Sequence, residues 1–269
     1  MQAPDWDDPL PHALQPALAY LSRPTPRTRA AVVLLHGRGD NAADFADAFL
    51  PALHRCFGGA EERLEEGDEA SSDVAVISLA AADGIWYPES HSVTKPEQLE
   101  YNGPYVYSSL LCLQKTLGEL AECGVPPTRV VVVGFSQGAN LANTYMLCAL
   151  REPDNTEVLR PAYVLALAGT RLASLPPFPR RAGTFTAEEA QRSAPPSSAV
   201  PDAEHTFVRL ICGEGDRYFR PAEIHAVAGE LAQAGVRVSV ALEPGVGHIV
   251  TPRMVAAVIE AAQELCAQP

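Results

Sequence analysis

Six short, nearly continuous apolar runs recur along the chain, with helically spaced stretches between them. The runs are Ala31 to Leu35, Val74 to Leu79, Val130 to Phe135, Ala162 to Ala168, Phe207 to Cys212 and Val236 to Leu242. Strands with one solvated face alternate apolar and polar residues, whereas these do not. They read instead as strands covered on both faces. Helical spacing marks residues 105–123, 138–150, 221–234 and 252–266. This alternation predicts an α/β fold, a mostly parallel central sheet with helices on both faces. A chain of 269 residues can enclose such a sheet as one domain spanning 1–269.

Three segments fall outside the rhythm. Residues 1–20 are expected to be an N-terminal extension, with Asp5, Asp7 and Asp8 and no base among the first nine residues. Residues 58–73 (GGAEERLEEGDEASSD) set seven acids against Arg63 and read as a solvated acidic loop. Residues 171–206 contain Pro176, Pro177, Pro179, Pro195, Pro196 and Pro201, which exclude a core helix or a central strand. A connection of that length is expected to be an active-site cover or to lack regular structure.

The formal net charge is -13, of which the first two of these segments carry -3 and -6. Acidity of this kind disfavours nucleic acid and anionic membrane surfaces as partners. It leaves open a small-molecule or acylated substrate, and homodimerisation. No apolar run approaches the roughly eighteen residues of a membrane helix. The start, MQAPDWDDPL, has neither the basic nor the apolar region of a signal peptide. The six cysteines are scattered without a CxxC pair, which suits free thiols and a cytoplasmic setting.

The strongest local signal is Gly134-Phe135-Ser136-Gln137-Gly138, between the strand pattern RVVVV and the helix pattern ANLANTYMLCAL. A nucleophile elbow needs a sharp strand-to-helix turn, and glycines on either side of the serine permit the crowding that lifts its hydroxyl into the open. Serine is a weak nucleophile at neutral pH and needs a base, which in turn needs an orienting carboxylate. After Ser136 the chain has only His205, His225 and His248. His248 ends Pro244-Gly245-Val246-Gly247-His248, just beyond the last strand, where a loop can carry an imidazole over the sheet edge. His225 lies within a helix pattern and His205 within the proline-rich segment. The carboxylate should follow the penultimate strand, in Gly213-Glu214-Gly215-Asp216. Asp216 is the expected acid, with Glu214 its competitor.

Acyl transfer also requires hydrogen-bond donors aimed at the developing oxyanion. One is expected from the backbone N–H of Gln137, at a helix N-terminus. The other is expected from the backbone N–H of Arg38, in the loop His36-Gly37-Arg38-Gly39-Asp40 that follows an early strand. That loop also spells Gly37-x-Gly39-x-x-Ala42, a form of the dinucleotide-binding fingerprint. The acid expected about twenty positions further on is missing. A nucleotide-dependent reductase is therefore a weaker alternative, as is a catalytically silent binding module. The sequence contains no P-loop, HExxH or EF-hand pattern, so no cofactor or metal is implied.

With HGRGD, GFSQG, GEGD and GVGH in this order, the sequence from about Ala31 onward resembles the phospholipase/carboxylesterase family of α/β-hydrolases, which includes acyl-protein thioesterases. The resemblance implies an α/β-hydrolase fold. It also implies hydrolysis of carboxylic esters or thioesters through an acyl-enzyme, with Ser136, Asp216 and His248 as triad and Arg38 and Gln137 as oxyanion donors. Ile85-Trp86-Tyr87-Pro88 resembles the family's Trp-Tyr-Pro segment, which implies that Trp86 and Tyr87 line the substrate pocket. The chain departs from the pattern at Asp216-Arg217-Tyr218-Phe219-Arg220-Pro221, one residue longer than the family's Asp-Pro-x-x-Pro. The pocket wall beside the acid is therefore expected to differ.

Overall fold

The computed structural model describes residues 18–20, 24, 28–58, 72–88, 97–151, 158–172 and 206–268. Most of the acidic segment, most of the proline-rich segment and residues 1–17 lie outside these. The strands are β1 (Leu18–Tyr20), β2 (Ala30–Leu35), β3 (Val74–Leu79), β4 (Val130–Phe135), β5 (Tyr163–Leu167), β6 (Phe207–Gly213) and β7 (Arg237–Glu243). They form one sheet in the order β1-β3-β2-β4-β5-β6-β7. Every pairing from β3 to β7 is parallel, with Val32 opposite Val76 on one side and Val131 on the other.

The six apolar runs of the sequence are the six parallel strands, within a residue or two at each end. β2 and β3 are buried along their whole length, which explains their unbroken apolar character. β7 is only half-buried because it lies at the sheet's edge. The opposite edge is β1, which pairs antiparallel with β3, Ala19 opposite Ile77. The expected extension over 1–20 thus ends in a strand of the sheet. Three residues are too few to show a periodicity.

The helices are α1 (Ala42–Asp47), α2 (Leu50–Phe57), α3 (Glu97–Glu122), α4 (Gln137–Leu150), α5 (Pro221–Gln233) and α6 (Pro252–Ala267). α6 packs on β2, β4 and α2, while α3 packs on α4, which lies against β4 and β5. α4 is buried from Gln137 to Ala149, so its polar side chains turn to partners inside the protein, Asn143 Oδ1 alone among those of Gln137, Asn140, Asn143 and Thr144 finding none among the described residues. α1 and α2 are short and escape a periodicity argument. The start of α1 is nonetheless encoded by Asn41, whose side chain accepts hydrogen bonds from the amides of Ala43 and Asp44.

Candidate active site

The loops after β2, β4, β6 and β7 all emerge at the carboxyl edge of the parallel sheet, where ligand sites of α/β folds form. β4 is flanked by β2 and β5 near the middle of the sheet, and Ser136 follows its last residue. Ser136 has φ 53° and ψ -113°, a conformation that L-residues rarely adopt and that costs on the order of 1–3 kcal/mol. It is held by its amide, which donates to the Leu167 carbonyl at 2.9 Å, and by its carbonyl, which accepts from the Asn140 amide at 3.0 Å.

The flanking glycines are required by contact. A Cβ on Gly134 would stand 2.3 Å from the carbonyl oxygen of Gly138, and one on Gly138 would stand 2.2 Å from that of Leu35. The elbow is thus wedged against the end of β2, where the HGRGD loop begins. In that loop the Gly39 amide donates to the Gly84 carbonyl and the Asp40 amide to that of Gly37. The amides of Arg38 and Gln137 donate to no acceptor among the described residues. Two free N–H groups, one on the loop and one at the first position of α4, are what an oxyanion would need.

Asp216 and His248 are brought together. Nδ1 of His248 lies 2.7 Å from Oδ2 of Asp216, whose carboxylate is fully enclosed. Oδ1 of Asp216 accepts from the amides of Tyr218 (2.8 Å) and Phe219 (3.1 Å), and the Cys212 thiol lies 3.6 Å from Oδ2. Each oxygen of this buried carboxylate thus has a hydrogen-bond partner. The imidazole sits among the rings of Phe135 and Tyr218, each 4.8 Å away by centroid, and Phe219 at 5.8 Å. Phe135 immediately precedes Ser136, so His248 stands beside the elbow. Among the described residues, neither Ser136 Oγ nor His248 Nε2 makes a hydrogen bond.

The other expected candidates lie elsewhere. Glu214 is exposed, and so is His225 on α5. His205 lies outside the described residues. Trp86 and Tyr87, the expected pocket residues, are fully buried in the core. Trp86 donates through Nε1 to the His36 carbonyl at 2.8 Å and through its amide to Gln137 Oε1 at 2.8 Å. Gln137 Nε2 donates to the Tyr87 carbonyl at 2.7 Å, and the Tyr87 hydroxyl accepts from Asn140 Nδ2 at 3.0 Å. The Arg38 guanidinium donates to the carbonyl of Pro88 at 2.5 Å and to that of Tyr87 at 3.3 Å. The WYP segment thereby links the elbow to the HGRGD loop.

Sequence reading missed His36, Asn140 and the side chain of Gln137 as parts of this frame. His36 is buried, its Nδ1–H donating to the Gly37 carbonyl at 2.7 Å and its Nε2 accepting from the Ala81 amide at 3.1 Å. Burial holds its pKa below the ordinary histidine value, against the smaller opposing effects of the Gly37 carbonyl and the Asp40 carboxylate. The asparagines on α4 could have been found, because polar side chains spaced along a wholly buried helix imply internal partners. The dinucleotide fingerprint gains no structural support. α1 has only six residues, and its first amides are already taken by Asn41. Among the described residues, no group of three or more His, Cys, Asp or Glu side chains is placed to hold a metal ion, and no helix is long and apolar enough to cross a membrane.

No protein-family model matches the sequence, and no curated protein matches it either. Solved structures do match in three dimensions. A phospholipase/carboxylesterase from Dyadobacter fermentans superposes with a TM-score of 0.62 at 20% identity, over 93% of this chain and 96% of that one. Acyl-protein thioesterase 2 from Zea mays gives 0.59 at 17% identity, over 94% and 100%. The Bacillus cereus carboxylesterase gives 0.57 at 18% identity, over 94% and 95%. At such identities the likeness is one of fold, and the fold is that of the α/β-hydrolases.

Proposed function

We propose that the chain is a serine hydrolase that cleaves carboxylic esters or thioesters through an acyl-enzyme. The observation that carries this reading is the Asp216–His248 hydrogen bond, standing beside a serine held at positive φ on the same sheet edge. Ser136 Oγ attacks the acyl carbonyl carbon while His248 Nε2 takes its proton. Asp216 holds the Nδ1–H tautomer and stabilises the imidazolium. The carbonyl oxygen, now negative, sits between the amides of Arg38 and Gln137, each donor worth on the order of 3 kcal/mol. Collapse expels the leaving group, which takes the proton from His248. Water then repeats the sequence and frees the acid. Trp86 and Tyr87 act here as braces of the oxyanion loop.

The names of the structural neighbours, esterases and a thioesterase, agree with this chemistry. The experiment is labelling with a fluorophosphonate probe, wild type against Ser136→Ala. The expected result is stoichiometric labelling and ester hydrolysis by the wild type and neither by the variant. Equal labelling of the two, or labelling of neither, overturns the assignment.

A further inference from the structure

Two large apolar side chains among the described residues are mostly exposed, one in ring contact with His248 and the other on the residue that follows it. Ile249, 59% exposed, follows His248 in the chain. Tyr218, 62% exposed, sets its ring edge-on against the imidazole at 4.8 Å. Scattered exposed apolar residues are ordinary on protein surfaces. Two of them beside one catalytic-type histidine are not scattered. Tyr218 occupies the turn after Asp216 that is one residue longer than the pattern it resembles. That turn is fixed by the Asp216 carboxylate, which accepts from the amides of Tyr218 and Phe219. With Phe219 almost fully buried, Tyr218 is the ring left at the surface.

The chemistry of the site says which part of a substrate meets this rim. In acylation the bond between Ser136 Oγ and the acyl carbon forms, the bond from that carbon to the ester oxygen breaks, and the departing oxygen receives the proton held by His248 Nε2. The departing oxygen must therefore lie within hydrogen-bond reach of the imidazole. The group attached to it rests against whatever surrounds that ring.

We propose that Tyr218 and Ile249 form the leaving-group subsite, and that the preferred substrates are esters of apolar alcohols. The proposal rests on the hydrolase reading above and adds a specificity that the reading does not contain. A methylene that is half removed from water on this rim should raise the acylation rate about twofold, since full burial corresponds to about fourfold.

The test uses acetate esters of methanol, butanol and hexanol, followed by pH-stat. All three give the same acetyl-enzyme, so their kcat/KM values differ only through the alcohol. In the wild type kcat/KM should rise roughly thirtyfold from methyl to hexyl acetate. In the Tyr218→Ala/Ile249→Ala double variant that ratio should fall to about threefold, and each single variant should fall between. Methyl esters of acetate, butyrate and hexanoate serve as the acyl series, whose profile the double variant should keep. A flat alcohol series in the wild type overturns the proposal. So does an unchanged alcohol ratio in the double variant, or collapse of the acyl series in its place. Both side chains are exposed, so their truncation removes little packing, and stoichiometric fluorophosphonate labelling verifies the site in each variant. Failure of the underlying reading shows separately, as labelling that survives Ser136→Ala.

Discussion

Nδ1 of His248 lies 2.7 Å from Oδ2 of Asp216, and this hydrogen bond ties the loop after β7 to the loop after β6. It also specifies a tautomer, because a carboxylate can only accept. A neutral imidazole making this bond carries its proton on Nδ1 and leaves the Nε2 lone pair free. In Asp216→Asn the side-chain oxygen can still accept from the amides of Tyr218 and Phe219, which turns the amide nitrogen toward His248. The imidazole must then present its Nδ1 lone pair and carry its proton on Nε2, where it cannot act as a base. The expected outcome is a fall in kcat on the order of a thousandfold or more, with KM little changed. Ester hydrolysis kinetics check it, and wild-type kcat in the variant would remove Asp216 from the mechanism.

The Gln137 side chain offers a second test, on stability. It satisfies the amide of Trp86 and the carbonyl of Tyr87, both buried. Gln137→Ala removes both bonds, while the Tyr87 carbonyl keeps the longer 3.3 Å bond from the Arg38 guanidinium, so a loss of about 1–3 kcal/mol is expected. Urea unfolding monitored by tryptophan fluorescence measures it. A change below about 0.5 kcal/mol would mean that the WYP segment is held by other means.

The extent to which the sequence foretold this arrangement follows from length scale. Strands buried on both faces announce themselves as apolar runs, and loops at the ends of such strands can be read from their glycines, so Ser136, Asp216 and His248 could be nominated from local pattern. The Trp86–Gln137 and Tyr87–Asn140 hydrogen bonds join residues about fifty positions apart. No local pattern encodes such a pairing. The resemblance suggested pocket lining for Trp86 and Tyr87, whose full burial and bonds to Gln137 no local pattern announces. β1 was illegible for another reason, since its three residues owe their conformation to pairing with β3.

Gly138→Ala probes the wedge between the elbow and the HGRGD loop. The added methyl would meet the carbonyl oxygens of Leu35 at 2.2 Å and His36 at 2.7 Å, both backbone atoms that cannot rotate away. Destabilisation of about 1–3 kcal/mol is expected from the overpacking. The larger effect should fall on kcat, because relief of the clash moves the Arg38 amide relative to that of Gln137. Thermal melts and ester hydrolysis together decide the point. A variant of wild-type stability and kcat would show that the two segments move independently.

Thiol chemistry separates a serine mechanism from a cysteine one. Cys56 and Cys123 are exposed, whereas Cys148 and Cys212 are buried. Burial, and then the neighbouring Asp216 carboxylate, push the Cys212 thiol up to about 12, so at pH 8 it carries almost no thiolate. Iodoacetamide at that pH should modify Cys56 and Cys123 promptly and spare Cys148 and Cys212, with ester hydrolysis largely retained. Peptide mass mapping after brief treatment reads the sites directly. Prompt modification of Cys212 with loss of activity would contradict both its burial and the role given to Ser136.

His36 makes the base of the HGRGD loop sensitive to acid. Its Nδ1–H donates to the Gly37 carbonyl, and its Nε2 accepts from the Ala81 amide. A second proton would set one N–H against another in a buried space. The folded-state pKa is accordingly depressed below the 6.5 of the unfolded chain, chiefly by burial. Between that depressed value and 6.5 the unfolded chain binds a proton that the folded one does not, so stability falls as pH drops through this window and is unaffected by this group above it. The wild-type Tm should therefore decline below about pH 6.5 more steeply than that of His36→Gln, which lacks the titrating ring. The variant should be less stable at pH 7.5, with the gap narrowing by pH 5.5. Melting curves of both proteins across that range would sink the argument if the two slopes were parallel.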